Sequence, residues 1–432
     1  MPSDMERRMQ RIKIGTRIHL NYIEFSKSKN DRVSVYFRNP LCEKDAAANA
    51  VLMPLLLNGS AKYPDVTAIS EKLQDLYGAS LHDTNVKHGQ EQIIGLSISF
   101  LNSRFTLGGE DNLSDCVALL GELLLNPVTE NGVFSDEYVK IERNNLITEI
   151  KAEINDKGSY ARRKCTEFLC GEDTFKTDIN GTIETANSLT PSSVYENYLR
   201  IISCSPIEVF YAGTEKAERV VECLKLHLGF PRGEVRPVDA ATKIAAKSEP
   251  AVVTEQMNVV QGKLSMGFTT DITAADESYS AMSIFCTMYG VIPTSKLFMN
   301  VREKLSLCYY CNCSYLSPKG IMIVNAGIET DKKQMAQDEI LGQLEEMKQG
   351  NFTDEEMEFA RQALVNAFTS VDDSSGELIG WWLRQICSGT EVSPAQAIER
   401  YMAVTREDVI RAGANVKLGS VFFLAGNAKE EK

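Results

Sequence analysis

VFSDEYVKIERNNL (residues 133–146) has a second version further along the chain, NFTDEEMEFARQAL (351–364). In each, Phe is followed by Ser or Thr and by Asp-Glu, and a helical run then carries Arg at the same offset, Arg143 and Arg361. The physics is shared. Ser135 and Thr353 can cap a helix start, the acids suit its positive end, and Thr353 with Glu356 has capping-box spacing. A second echo pairs EKLQDLY (71–77) with EKLSLCY (303–309) at a different separation, so connecting loops differ between the copies. Between the copies lies GFPRGEVRPVDAATKIAAKSEPAV (229–252), where Pro231, Pro237 and Pro250 and weak periodicity predict an extended, exposed linker. Two echoes flanking a linker predict a duplicated chain, with one half over 1–228 and another over 253–432.

Within the first half, RIHLNYIEF and RVSVYFRN read as a strand pair joined by the polar turn KSKND, and QIIGLSISF (92–100) as a further strand. Ala46–Leu57, Val66–Tyr77, Cys116–Leu125 and Asp136–Glu153 read as helices. In the second half, Val259–Phe268 and Gly320–Ile328 read as strands, and Ser280–Tyr289, Lys332–Lys348 and Asp354–Val371 as helices. Strands beside strands and helices beside helices predict an α+β fold, each half a mainly antiparallel sheet packed with helices.

The chain has 432 residues, 59 acidic and 46 basic, for a net charge of −13. That sign disfavours nucleic acid, whose phosphates call for Lys and Arg, and an anionic membrane surface. The longest apolar runs, Ala50–Leu57 and Val117–Leu125, fall short of the roughly 20 residues a transmembrane helix needs. The start, MPSDMERRMQRIKIG, has no apolar core of a signal peptide. Eleven scattered cysteines suit free thiols in a reducing cytosol, so a cytoplasmic location is expected. In Cys308-x-x-Cys311-x-Cys313 a regular strand would put 311 and 313 on one face and 308 on the other, a poor tetrahedral cage.

Few chemistries have their residues here. The histidines are His19, His82, His88 and His227, with no pair at i,i+4. No G-x-S-x-G elbow and no strand-to-helix phosphate loop occur, and no local signature supports a Cys–His dyad. Glu142, Glu149 and Glu153 fall on one side of their helix beside the stripe Val139, Leu146, Ile150 and Ile154; either a solvated flank or a functional row fits that pattern.

Over nearly its whole length the chain resembles one half-size subunit of the pitrilysin/insulinase-type zinc metallopeptidases, relatives of the mitochondrial processing peptidase. In active members a helix carries H-x-x-E-H, followed by an apolar pair, a Gly-Thr turn and Tyr-Pro, and two His ligands and a general-base Glu face the metal. Here the stretch is AVLMPLLLNGSAKYP (50–64). The Gly59-Ser60 turn and Tyr63-Pro64 remain, but Ala50 and Pro54 hold the His places and Met53 the Glu place. Glu142 and Glu149 match the family's downstream Glu and third ligand, seven residues apart. Without the two nitrogen ligands this implies a degenerate site with no metal and no cofactor.

The second half departs less. SKLFMNVREKLSLCY (295–309) follows the family's S-x-L-x-x-x-I-R-E-K-x-G-L-x-Y, with Ser306 in place of Gly and the Arg/Tyr pair kept as Arg302 and Tyr309. The resemblance implies that this pair contacts substrate backbone and the developing oxyanion in trans, where a guanidinium and a phenol are apt donors. It further implies a non-catalytic subunit of a heterodimer whose zinc-bearing paralogue supplies the metal for a peptide or small polypeptide substrate. The pattern is similar to bacterial members without the ligands, named for an association with elongation factor P modification. Two alternatives stay open. One is a non-proteolytic peptide-binding or scaffold protein of the same fold, as in respiratory-complex core subunits; the other is an independent protease using another site.

Overall fold

The computed structural model describes residues 9–238 and 242–426. The first eight residues of the charged start, and 239–241 of the linker, lie outside the described residues.

The first half is built on β1 (Gln10–Gly15), β2 (Ile18–Glu24), β3 (Asn30–Pro40), β4 (Ser80–His88), β5 (Glu91–Leu101), a short ribbon of β6 (Thr129–Glu130) and β7 (Val133–Phe134), and β8 (Ile207–Gly213). Its helices are α1 (Glu43–Leu56), α2 (Val66–Asp75), α3 (Asn112–Leu125), α4 (Asp136–Asn155), α5 (Lys157–Cys170), α6 (Ile183–Asn187), α7 (Pro191–Cys204) and α8 (Ala217–His227). The six-stranded sheet runs β1-β2-β8-β3-β5-β4. Only β2 and β8 are parallel within it. The expected β2–β3 hairpin does not form. β8 lies between them, parallel to β2 and antiparallel to β3, so the polar turn joins strands that are not neighbours. Local alternation fixes which face a strand buries but not its partner, and Ile207–Gly213, buried at every position, takes the central place. Ala47, Val51 and Leu52 of α1 share one core with Leu120 and Leu124 of α3 and with Val35, Leu96 and Val209 of the sheet.

The second half carries β9 (Ala251–Gln256), β10 (Gly262–Thr269), β11 (Cys308–Leu316), β12 (Ile321–Ile328) and β13 (Lys417–Ala425), with order β9-β13-β10-β12-β11. Its helices are α9 (Tyr279–Gly290), α10 (Lys333–Lys348), α11 (Asp354–Val371), α12 (Ser375–Ser388), α13 (Pro394–Ala403) and α14 (Arg406–Gly413), and a π-helix spans Leu297–Lys304. Again one pair, β9 and β13, is parallel and the rest are antiparallel.

The two sheets match strand for strand. Leaving out β1, the order β2-β8-β3-β5-β4 repeats as β9-β13-β10-β12-β11, parallel pair included. Both sequence echoes occupy equivalent places. Ser135 and Thr353 directly precede α4 and α11, and the second echo runs from α2 or the π-helix toward the edge strand β4 or β11. The fold is therefore α+β with duplicated, mainly antiparallel halves.

Compact units do not follow a single cut in the chain. One comprises 1–150, 177–240 and 371–384; the other comprises 151–176, 241–370 and 385–432. In the second unit, α5 packs on β10 and β13 through Cys165 and Leu169, which occupy the space beside Gly267 and Gly419. Among its described residues the linker stretch has no regular structure until β9 begins at Ala251, directly after Pro250. Two apolar side chains, Phe230 and Ile244, are buried along it. Arg232 fastens it by donating to the carbonyls of Thr16, Ile202 and Ser205.

Candidate functional site

The end of α1 is the place where the family pattern puts its metal. Ala50 and Met53 are 8% and 1% exposed and belong to the first core, so hydrocarbon fills that face of the helix. Pro54 has no N–H for the Ala50 carbonyl, and α1 stops two residues later. The following turn is held tightly. A Cβ on Gly59 would stand 2.6 Å from the Pro64 carbonyl oxygen, and the Ser60 N–H donates to the Tyr63 carbonyl at 2.6 Å. The turn is thus held by packing and hydrogen bonding within the chain.

Of the α4 carboxylates, Glu142 accepts from Asn58 Nδ2 at 2.8 Å and from Asn145 Nδ2 at 3.1 Å. Because Asn58 Nδ2 also lies 3.2 Å from the Pro54 carbonyl oxygen, Glu142 ties α4 to the end of α1. Glu149 is exposed, and Glu153 pairs with Arg163 of α5 at 3.1 Å. The row read from the sequence therefore divides into three separate environments. Ala, Met and Pro offer no nitrogen or carboxylate donor, so these residues do not fit a zinc ion. Among the described residues no group of three or more His, Cys, Asp or Glu is placed to hold a metal.

Sequence reasoning missed the polar ladder on the same helix. Buried Asn49 donates to Gln92 Oε1 at 2.9 Å and accepts from Asn197 Nδ2 at 3.0 Å, while Gln92 Nε2 donates to Asn85 Oδ1 at 2.9 Å. An Asn among alanines and leucines was the available signal, since a buried amide must find partners.

In the second unit the π-helix opens a different site. Its wide turns bring the Leu305 N–H to the Asn300 carbonyl and the Leu307 N–H to the Val301 carbonyl, and π-turns often accompany functional sites. Ser306 follows with φ +48°, a backbone region suited to the Gly of the family pattern. Arg302 and Tyr309 then line one cleft of about 420 Å³, together with Glu303, Ser306, Leu307, Cys308, Glu329 and Lys332. The Arg302 guanidinium lies 4.5 Å from the Phe298 ring centroid and 3.5 Å from Glu303, with its side chain 40% exposed. Tyr309 is 65% exposed.

Tyr309 protrudes because β11 bulges there. Cys308 faces Ile328 and Tyr310 faces Gly327, so the bulge holds one extra residue. That slip corrects the expected cysteine geometry. Cys308, Cys311 and Cys313 face Ile328, Ala326 and Val324, alternate residues of β12, and so share one buried face. A regular period of two cannot show a bulge. Among the described residues no disulfide links any of the eleven cysteines.

The fold with its duplicated sheets has known counterparts. Residues 188–364 match the family model described as "Peptidase M16 inactive domain". The chain is 28% identical over 398 residues, 91% of its length and 93% of the relative's, to a Bacillus subtilis protein named "Probable inactive metalloprotease YmfF". A solved conserved protein from Enterococcus faecalis superposes with a TM-score of 0.91 at 27% identity, covering 98% of this chain and 100% of that one. A peptidase M16 inactive domain from Pseudomonas fluorescens gives 0.80 at 14% identity, covering 98% and 100%. The chain is thus similar to inactive M16-type peptidases over most of its length.

Proposed function

We propose that the chain is the non-catalytic subunit of a heterodimeric zinc peptidase. It contributes chamber wall and the Arg302 and Tyr309 contacts, and a zinc-bearing paralogue supplies the metal. The observation that carries this reading is the contrast between the two halves. The α1 end is filled with Ala50, Met53 and Pro54, whereas half-buried Arg302 and exposed Tyr309 line a shared cleft. Hydrogen-bond donors on a cleft wall suit an extended peptide or small polypeptide. A cytosolic setting accords with eleven cysteines and no disulfide among the described residues.

Reconstitution tests it. The chain alone should bind no stoichiometric zinc and cleave no peptide, and cleavage should appear with the zinc-bearing paralogue. Arg302→Ala should then lower kcat about 100- to 1,000-fold, the usual effect of losing one oxyanion donor. Unchanged kcat in the pair would remove that role from Arg302. The implied link to elongation factor P modification belongs to the same proposal. Deleting the chain from its host should change that factor's modification state, read by intact mass.

A further inference from the structure

Helix α9 begins without the acid that its counterpart has. In the first half α1 carries Glu43 and Asp45 in its first turn, and Asp45 pairs with Arg200 of α7 at 2.9 Å. A carboxylate thus sits at the positive end of that helix. In the second half α14 packs on α9 as α7 packs on α1, each directly ahead of its sheet strand, β13 or β8. The third residue of α9 is Ala281, in the place Asp45 has in α1. The first turn of α9 holds no acid, and Ser278 at its cap makes no side-chain hydrogen bond. The N–H groups of Ser280 and Ala281 have no acceptor among the described residues.

A cavity of about 580 Å³ opens at this helix start, lined from α9, from the end of α13 and from α14. One of its side chains itself calls for a ligand. Ser280 lines the cavity, is only 7% exposed, and has no hydrogen-bond partner among the described residues. A buried hydroxyl left unpaired is costly, so a partner entering the cavity is favoured. The charges around it divide into spent and unspent. Asp408 accepts from the Thr405 N–H at 2.9 Å and from Thr405 Oγ1 at 2.8 Å, and Arg411 neutralises it. Arg400 on α13 and Glu277 just ahead of α9 also line the cavity; both are exposed and have no ion-pair partner among the described residues. One cation, one positive helix end and one carboxylate are therefore left over. An ion of a single sign leaves Arg400 or Glu277 unmatched, whereas a ligand with both charges satisfies both.

We propose that this cavity binds a short peptide by its two free ends, the carboxylate at the start of α9 with Ser280 and Arg400, and the ammonium at Glu277. The ligand's carboxylate takes the part that Asp45 plays for α1. The volume lies in the range of roughly 300–1,000 Å³ that small organic ligands occupy, more than a lone ion needs. The site lies within the second unit and does not rest on the peptidase-subunit reading.

Titration calorimetry on the purified full chain tests it, with trialanine as the probe. Trialanine should bind saturably at about 10 mM or below. Blocking either end, by amidation or by N-acetylation, should weaken binding at least about tenfold, the scale of a lost hydrogen bond to a charged group. Arg400→Gln should weaken trialanine and N-acetyl trialanine alike. Glu277→Gln should weaken trialanine and leave the N-acetyl form unchanged. Ala281→Asp returns a carboxylate to the helix start from within the chain and should abolish binding, with circular dichroism checking that the fold is kept. Absence of saturable binding, affinity for free alanine, inorganic phosphate or the end-blocked peptides equal to that for trialanine, or trialanine binding indifferent to Arg400→Gln would overturn the assignment and leave the peptidase-subunit reading as it stands.

Discussion

Ser306 carries a Cβ in left-handed backbone, φ +48°, on the turn between the π-helix and β11. An L side chain in that conformation costs roughly 1–2 kcal/mol. Glycine removes the clash but loosens the unfolded chain by about 0.4–1 kcal/mol. Ser306→Gly should therefore stabilise the protein by roughly 0.5–1 kcal/mol, read as a higher urea midpoint at unchanged slope. A lower midpoint would mean that the Ser306 hydroxyl makes up for the strain. The Gly-to-Ser departure was visible in the sequence, but its cost was not, because the sign of φ is a property of the turn. The resemblance to the family pattern singled out Arg302 and Tyr309, and only the bulge at Tyr309 explains why a strand residue is 65% exposed.

At the scale of elements, the turn after α1 is held by close backbone packing. Gly59 is required by close approach, since an added Cβ would stand 2.6 Å from the Pro64 carbonyl oxygen and 3.1 Å from that of Tyr63. Both obstacles are backbone and cannot rotate away. Gly59→Ala should cost about 1–3 kcal/mol, measured by thermal or urea unfolding, and the metal-independent frame predicts the same cost with or without added zinc. A cost that appears only with zinc would show that the turn still serves a metal. Elements with strong local signals were read closely. Asp354–Val371 formed over the expected residues, because its cap, its acidic first turn and its apolar stripe all act within one helix. Strand partners were not readable. β8 separates β2 from β3 across a long stretch of chain, and alternation within a strand holds no record of its neighbour. The bulge in β11 defeated the cysteine reading for a related reason, since one inserted residue reverses every later face.

On the scale of the whole molecule, the chain returns late to its first unit. Residues 371–384 belong with 1–150 and 177–240, and Arg384 comes close enough to His88 at the end of β4 to shift its titration. Burial first, then the charges of Arg384 and Arg38, push the His88 pKa from 6.5 down to about 4. A depressed histidine is neutral in the folded protein, whereas the unfolded chain takes up its proton near pH 6.5. The contribution is therefore complete above that pH and is lost as pH falls from 6.5 toward 4. One pKa unit corresponds to about 1.4 kcal/mol, so the full loss is on the order of 3 kcal/mol. Comparing the chain with His88→Gln isolates this effect from the many carboxylates, because both proteins share those. The unfolding free energy of the parent should fall relative to the variant by about 1.4 kcal/mol per pH unit across that window and stay level above pH 7. Arg384→Gln should raise the His88 pKa, read by NMR titration of the ring protons, and narrow the window from its acid side. A His88 titration indifferent to Arg384 would mean that the late return of the chain leaves the electrostatics of the first sheet untouched.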